Sequence, residues 1–313
     1  MFRLTAFIIA SLLLSACAST TVTSISTLQS INDGFSVPYR ISDAGHFLID
    51  VSVNENAPRS FILDTGANVS AIYEPAAKAM GLIAGEGMIS VNGLVGSGLR
   101  PRLDGIELTI GPKTYHPNNA ILLEASKFEN QAIGLLGVDI LSESILVFNS
   151  ESAMVTVLPS ETVDPALFSG WRQIKLRNQI LGYEDKGLYF AQTILQDERV
   201  PVLVDTGSDI NIINWPLATL DESFKRVQRR LRQQTELHGA TDSSVISLQT
   251  KFFDLQLGQQ NWPEIEVLVL DFEGFTDIAP VDKPFMVAGA TMFTGQDFTF
   301  DFARNRIYIR PED

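Results

Sequence analysis

The residues in this chain best suited to do chemistry are two aspartates, Asp64 and Asp205, each followed by a threonine and a glycine. A carboxylate exchanges protons near neutral pH only if something disfavours its charge, and a second carboxylate close by does so directly. One Asp-Thr-Gly can be a turn and nothing more, with Asp capping and Gly bending. Here each copy closes an apolar run of strand length. Phe61-Ile62-Leu63 leads into Asp64-Thr65-Gly66-Ala67, and Pro201-Val202-Leu203-Val204 leads into Asp205-Thr206-Gly207-Ser208. At average residue usage a given tripeptide is expected about 0.1 times in a chain this long, so the weight lies in the matched pair.

The elements that must position these turns repeat as well. In the first half, Phe47 to Val53 alternates as a half-buried strand, the Asp64 strand and turn follow, and Pro75 to Leu82 reads as a short helix. Residues 88 to 99 read as a hairpin with a glycine-rich tip at Gly93, Gly96 and Gly98. Strands at Gly105–Ile110 and Asn119–Glu124 precede Leu135-Leu136-Gly137, and strands at Ile145–Phe148 and Met154–Leu158 close the half. The second half replays this order: an opening strand at Gly187–Leu195, the Asp205 turn, a helix predicted from Trp215 to Leu237, middle strands at Ser247–Leu257 and Glu264–Asp271, then Val287-Ala288-Gly289. Gly137 to Pro159 and Gly289 to Pro311 each span 22 residues, which sets Phe148 opposite Phe300 and Val157 opposite Ile309. Asp64 lies 73 residues before Gly137 and Asp205 lies 84 before Gly289, the excess fitting a longer helix in the second half. The reading is an all-β fold of two like lobes, each with a short helix: residues 37–160, a linker at 161–170, and residues 171–313.

Asp64-Thr65-Gly66-Ala67 and Asp205-Thr206-Gly207-Ser208, each paired with an apolar-apolar-Gly (Leu135-Leu136-Gly137; Val287-Ala288-Gly289), resemble the aspartic peptidases. The lobe size resembles the retropepsin type and the tandem arrangement the bilobal pepsin type, over about residues 37 to 313. The resemblance implies acid-protease β-barrel lobes related by a pseudo-twofold axis and a catalytic pair at Asp64 and Asp205. Thr65 and Thr206 would hydrogen-bond across the junction, and the hairpin at Gly93–Gly98 would be a flap, although it lacks the tyrosine of the pepsin pattern. Two carboxylates about 3 Å apart repel by about 5 kcal/mol at an effective dielectric near 20, so they share one proton. The ionised member takes a proton from water while the other donates to the peptide carbonyl, with no covalent intermediate and no cofactor. Gly66 and Gly207 are expected where a Cβ would clash. Ser208 is expected to hydrogen-bond Asp205, which Ala67 could not do for Asp64, making the two carboxylates inequivalent.

The remaining composition sets the surroundings. A net charge of −14 and a pI near 4.6 argue against nucleic acid and against basic patches on an anionic membrane. Residues 1–16 read as a signal peptide: Arg3, then an apolar run from Phe7 to Leu14, too short to cross a bilayer. Leu14-Ser15-Ala16-Cys17 resembles the bacterial lipobox, which implies a lipid on Cys17, a chain on the periplasmic side of a bacterial membrane and, from Ala18 by the enteric sorting habit, the outer membrane. Cys17 is the one cysteine, so the mature chain forms no internal disulfide. Residues 17–36, rich in Ser and Thr, read as a flexible tether of about 20–25 Å. His46, His116 and His238 are scattered and lack the spacing of metal ligands, and Asp271, Glu273, Asp277 and Asp282 lack that of a calcium loop. Gly96-Ser97-Gly98 lacks the flanks of a nucleophile elbow. Lys225, Arg226, Arg229, Arg230 and Arg232 read as a solvated helix face, with docking of an acidic partner as the alternative. Taken together these readings describe a monomeric, lipid-anchored endopeptidase acting on polypeptide. The rival is a non-catalytic lipoprotein that holds a peptide or cell-wall fragment in the same cleft.

Overall fold

The computed structural model describes residues 22, 24, 27, 28, 34–93, 96–124, 131–180, 187–220, 234–238, 244–270 and 282–312. The first half contains β1 (Phe35–Ile41), β2 (Phe47–Val53), β3 (Arg59–Leu63), β4 (Ala71–Tyr73), α1 (Glu74–Ala79), β5 (Ala84–Gly93), β6 (Gly96–Leu103), β7 (Leu108–Ile110), β8 (Lys113–Tyr115), β9 (Ile121–Leu123), β10 (Gly134–Leu136), α2 (Val138–Leu141), β11 (Ser144–Asn149) and β12 (Met154–Pro159). The second contains β13 (Arg172–Lys175), β14 (Phe190–Leu195), β15 (Glu198–Asp205), β16 (Asn211–Ile213), α3 (Trp215–Leu220), β17 (Gln234–His238), β18 (Ser244–Leu257), β19 (Gln260–Val269), β20 (Met286–Gly289), β21 (Phe298–Asp301) and β22 (Arg306–Ile309). The protein is all-β with short helices, as its alternating and apolar strand patterns require.

In both halves the core is built in the same way. The hairpin β2–β3 places Leu48 opposite Ile62, and β14–β15 places Phe190 opposite Leu203. Its turn at Gln196 and Asp197 has both residues left-handed, as a two-residue primed turn demands. The next strand pair packs parallel: β10 beside β3, and β20 beside β15. Leu48, Ile62, Ala71 and Leu135 belong to one buried cluster, and their counterparts Phe190, Leu203, Ile212 and Val287 belong to another. Two apolar walls therefore flank the two aspartate turns.

The halves are not separate barrels joined by a linker alone. Strands β13, β22 and β21 of the second half continue into β11, β12 and β1 of the first, forming one sheet across the junction. The central pair, β11 with β21, sets Leu146 against Phe300, Val147 against Thr299 and Phe148 against Phe298. Since Phe148 corresponds to Phe300 in the repeat, this ladder is its own mirror under a twofold rotation, with Val147 and Thr299 at the axis. The Phe148 and Phe298 rings stack at 4.3 Å, and Phe47 packs edge-on against both. Each aromatic pair contributes about 0.5–1.5 kcal/mol beyond its buried area, so the seam is a core rather than a hinge.

Two expectations change, those for the second helix and for the tether. Of the helix read from Trp215 to Leu237, Trp215–Leu220 is helical and 221–233 lie outside the described residues, while Gln234–His238 is instead a strand paired along β18, Gln234 opposite Leu248 and His238 opposite Ser244. An edge of a 14-residue strand offers backbone partners that outweigh a polar segment's helix propensity. The tether read over 17–36 is anchored before its end. Leu28 is completely buried among Ile145, Val147, Phe168 and Trp171, and β1 begins at Phe35. One leucine suffices because the outer face of the seam sheet needs an apolar cover. The stretch read as a linker at 161–170 is built on two 3-10 turns, Ser160–Thr162, which begins one residue before it, and Pro165–Phe168, clamped by Arg304, which donates to the Ser160 and Val163 carbonyls and pairs with the buried Asp301. Cys17, the basic run at 225–232, and Asp271, Glu273 and Asp277 lie outside the described residues.

Candidate active site

Asp64 follows directly on β3 and Asp205 is the last residue of β15, so each aspartate sits where a buried strand runs out of partners. The neighbouring apolar-apolar-Gly strand supports it from the side: the Asp64 N–H donates to the Leu136 carbonyl at 2.9 Å, and Asp205 registers with Gly289. The glycine is required by contact. A Cβ on Gly137 would come within 2.8 Å of the Ala67 oxygen, and one on Gly289 within 2.6 Å of the Ile210 oxygen. The aspartate turn in each lobe thus passes directly over the glycine, which is why the two motifs travel together.

The turns interlock at the seam. Thr65 Oγ1 donates to the Val204 carbonyl at 2.8 Å and accepts the Thr206 N–H at 3.1 Å. Reciprocally, Thr206 Oγ1 donates to the Leu63 carbonyl at 2.6 Å and accepts the Thr65 N–H at 3.1 Å. Both threonines are buried, so all four backbone groups depend on the partner lobe for satisfaction. Only a residue with a short side chain and a hydroxyl can donate and accept in that space.

This brings the carboxylates together. A Cβ on Gly66 would lie 2.3 Å from the Asp205 Cγ, and one on Gly207 would lie 2.2 Å from the Asp64 Cγ. Each glycine floors the opposite carboxylate. The need for glycine is therefore space for the other lobe's acid, because neither residue adopts the left-handed backbone. Asp205 is buried and Asp64 is partly open, and their side chains hydrogen-bond each other. Burial, then the charge of Asp205, raises the Asp64 pKa well above the usual carboxylate range. Burial raises Asp205 to about 6, while the hydrogen bond from Asp64 and the N–H groups of Gly207 and Ser208 work against the rise. The pair holds one proton through the weakly acidic range and titrates as a unit.

Ser208 is placed differently from expectation. Its hydroxyl donates to the Ile210 carbonyl at 2.7 Å and its N–H to the Asp205 main-chain carbonyl at 3.2 Å, and it is the Gly207 N–H that donates to the Asp205 carboxylate, at 2.9 Å. Gly66 supplies Asp64 with the equivalent backbone N–H, also at 2.9 Å, so the side-chain difference between Ala67 and Ser208 does not make the acids inequivalent.

The sequence reading missed a second shell of polar residues. Ser70 Oγ accepts the Gly137 N–H at 3.1 Å and donates to Asp139 at 2.7 Å. In the other lobe Asn211 accepts the Gly289 N–H at 2.8 Å and reaches Thr291 at 3.4 Å. The signal was positional: Ser70 and Asn211 each stand six residues after an aspartate, and Asp139 and Thr291 each two after the glycine. Asp139 is itself pushed up by burial, with Ser70 opposing the shift.

The hairpin β5–β6 pairs up to Gly93 opposite Gly96, with Gly98 opposite Val91, and residues 94 and 95 lie outside the described residues. Ile89 and Val91 pack on the cluster that includes Ala67 and Val69, so the hairpin's inner face leans toward the Asp64 turn. His116 is exposed, whereas His46 is buried at the lobe junction facing Asp209 and Gly207. Among the described residues no cluster of His, Cys, Asp and Glu is arranged to hold a metal ion.

Residues 49–143 match the family model described as "gag-polyprotein putative aspartyl protease", which spans the Asp64 turn, the hairpin and Gly137. No curated protein matches the chain. Among solved structures, conglutin gamma, described as a unique basic 7S globulin from lupine seeds, is similar over 90% of this chain and 95% of its own, at 11% identity and a TM-score of 0.48.

Proposed function

We propose that this chain is an aspartic endopeptidase in which Asp64 and Asp205 activate water against a peptide bond. The observation that carries the reading is the mutual approach of the two carboxylates, each floored by the other turn's glycine and joined by a shared hydrogen bond. A lobe matching an aspartyl-protease model supports the peptidase class. Two buried acids in contact destabilise each other's charge, a cost that a binding-only cleft has no reason to carry.

In the proposed reaction the ionised Asp205 accepts a proton from water as the oxygen attacks the peptide carbonyl, and Asp64 donates its proton to the carbonyl oxygen. The resulting gem-diol collapses when the leaving nitrogen takes the proton from Asp205, and Asp64 recovers its own from a diol hydroxyl. The dyad ends as it began, one proton shared. The hydrogen bonds and packing contacts of the turns are formed in folding, so little reorganisation is left for the chemical step. The β5–β6 hairpin, whose apolar inner face leans on the same cluster as the Asp64 turn, is the proposed cover over bound polypeptide.

The test is hydrolysis of an unfolded protein between about pH 4 and 8, with and without a statine-type inhibitor. Asp64→Asn and Asp205→Asn should each abolish cleavage while leaving the circular dichroism unchanged. Full hydrolysis by either variant would overturn the assignment. The same proposal extends to location: a monomer, lipid-anchored through Cys17 on the periplasmic face of a bacterial outer membrane. Incorporation of labelled palmitate into the wild-type chain but not Cys17→Ser checks it.

A further inference from the structure

Arg100 in β6 lies on the face of its hairpin that is turned toward the Asp64 turn, a place where an apolar residue is expected. Side chains alternate along each strand, and directly opposed residues share a face. Met88 and Leu99 point outward and are 55% and 59% exposed. Ile89 and Val91 point inward, onto the cluster against which Ala67 and Val69 of the Asp64 turn also pack. The register sets Arg100 opposite Ile89 and Gly98 opposite Val91, so Arg100 belongs to the inner face. Its side chain is only 12% exposed, a cation folded under the hairpin.

The guanidinium is held in place but only partly matched. Nη1 donates to the Leu99 carbonyl at 3.1 Å and would stand 3.1 Å from a Cβ on Gly98. The arm therefore runs along the underside of the hairpin toward its tip, in the space that glycine leaves. Arg102, next on that face, pairs with Asp104 at 2.7 Å. Arg100 has no such partner among the described residues. Glu124, just past β9, stands 3.8 Å from Nη1 and is itself half exposed, outside the range of about 2.7–2.9 Å for a charged hydrogen bond. Nε is buried with no hydrogen-bond partner among the described residues. A guanidinium presents its donors as a planar fork that fits a carboxylate through paired bonds, and a buried donor left without an acceptor costs free energy. The fold thus fixes a donor fork beneath the hairpin and supplies no close acceptor for it.

We propose that Arg100 is a specificity-determining residue that pairs with an acidic side chain of a polypeptide held between the β5–β6 hairpin and the Asp64 turn. The inference deepens the peptidase reading and rests on it for its kinetic consequence, while the pairing itself rests on where Arg100 lies. A chain passing between hairpin and turn meets the underside that Ile89, Val91 and the guanidinium share. Arginine suits the place because its stem lies along apolar neighbours while its planar head reads a carboxylate. Glutamine, of similar size to glutamate, offers a single carbonyl oxygen and no charge, so part of the fork stays unpaired. An apolar residue leaves the whole fork unpaired, and a basic one adds repulsion. Glu124 is the built-in competitor, and a half-exposed ion pair at that separation yields at little cost.

The test uses end-blocked, alanine-rich peptides in which a single Glu or a single Gln is walked along the sequence, so that the side chain supplies the only carboxylate. At one position the wild-type kcat/KM should favour Glu over Gln by about tenfold or more, the size of a hydrogen bond to a charged group. Arg100→Met, which keeps an apolar stem, should bring that ratio near unity, and Arg100→Lys should recover part of it. Glu124→Gln, which removes the competitor, should widen it. Each ratio is taken within one protein, so a merely structural Arg100 would lower kcat/KM for both peptides alike and leave the ratio unmoved. Equal ratios in the wild type and Arg100→Met overturn the proposal and leave the peptidase reading standing. Should Arg100→Met fail to fold, Glu124→Gln decides, an unchanged ratio counting against the pairing. If the wild type cleaves none of the peptides, the peptidase reading fails, and fluorescence anisotropy of the same peptides, labelled, decides the pairing. Tighter binding of the Glu peptide that Arg100→Met abolishes supports it; equal binding of both peptides overturns it.

Discussion

Gly207 lies directly beneath the Asp64 carboxylate, close enough that a Cβ would come within 2.2 Å of Cγ and 2.4 Å of either oxygen. Gly66 holds the same place beneath Asp205. Gly207→Ala should therefore push the acid of the other lobe out of register. Displacements of about 1 Å cost on the order of 100-fold in rate, so kcat should fall at least that far while thermal melting changes little more than for a surface change. The measure is kcat on a fixed peptide beside the melting temperature, and Gly66→Ala should behave alike.

The dyad also has a stability signature. Both acids have folded pKa values above the unfolded one, so the fold binds more protons and loses stability as pH rises through the weakly acidic range. Their unfavourable contribution is absent below the unfolded value and fully developed above the folded ones. Asp205→Asn removes a buried charge while keeping the shape. It should raise stability at pH 8 by roughly 1–3 kcal/mol, taking about 1.4 kcal/mol per unit of pKa shift, and leave it unchanged at pH 3. Urea melts at the two pH values decide; equal changes at both would contradict the sign.

Activity should follow the single shared proton. With Asp205 raised to about 6 and Asp64 also raised well above the usual carboxylate range, the acid limb of kcat/KM is expected near pH 6, where the pair loses its first proton. A rate profile from acid to neutral pH checks this, and a limb at the ordinary carboxylate value would mean that the dyad is more solvated in solution.

Thr65→Val leaves the Val204 carbonyl and the Thr206 N–H without their partner. Each buried group so abandoned costs about 1–3 kcal/mol, and Thr65→Ser, which retains the hydroxyl, should recover most of the loss in a denaturant melt.

Ser208→Ala makes a contrasting case. The hydroxyl serves the Ile210 carbonyl, while the Ser208 N–H survives the change. Stability should drop by about 1 kcal/mol with the pH profile of activity unmoved.

Much of this was legible in the linear sequence because the fold is repeated and its signals are local. An apolar strand ending in Asp-Thr-Gly marks a chain leaving a core, and equal spacing from Gly137 to Pro159 and from Gly289 to Pro311 marks one unit used twice. Ser70 and Asn211 were readable in principle, since the repeat assigns them the same place. They were missed because a serine and an asparagine look unrelated until both are seen holding a glycine N–H. The segment 234–238 was misread because its helix-like composition was overridden by pairing with the strand that follows it, His238 opposite Ser244 and Gln234 opposite Leu248.

The sequence alone determined that two acid-bearing turns exist, which residues flank them, and that the strands entering them are buried; these follow from composition and spacing along a few neighbouring residues. Only the tertiary structure decided that Thr65 and Thr206 grip one another, that each glycine floors the other lobe's carboxylate, and that Leu28 is locked against the seam. All three join residues far apart in the chain, and no local propensity encodes a contact whose two halves meet only in the folded molecule.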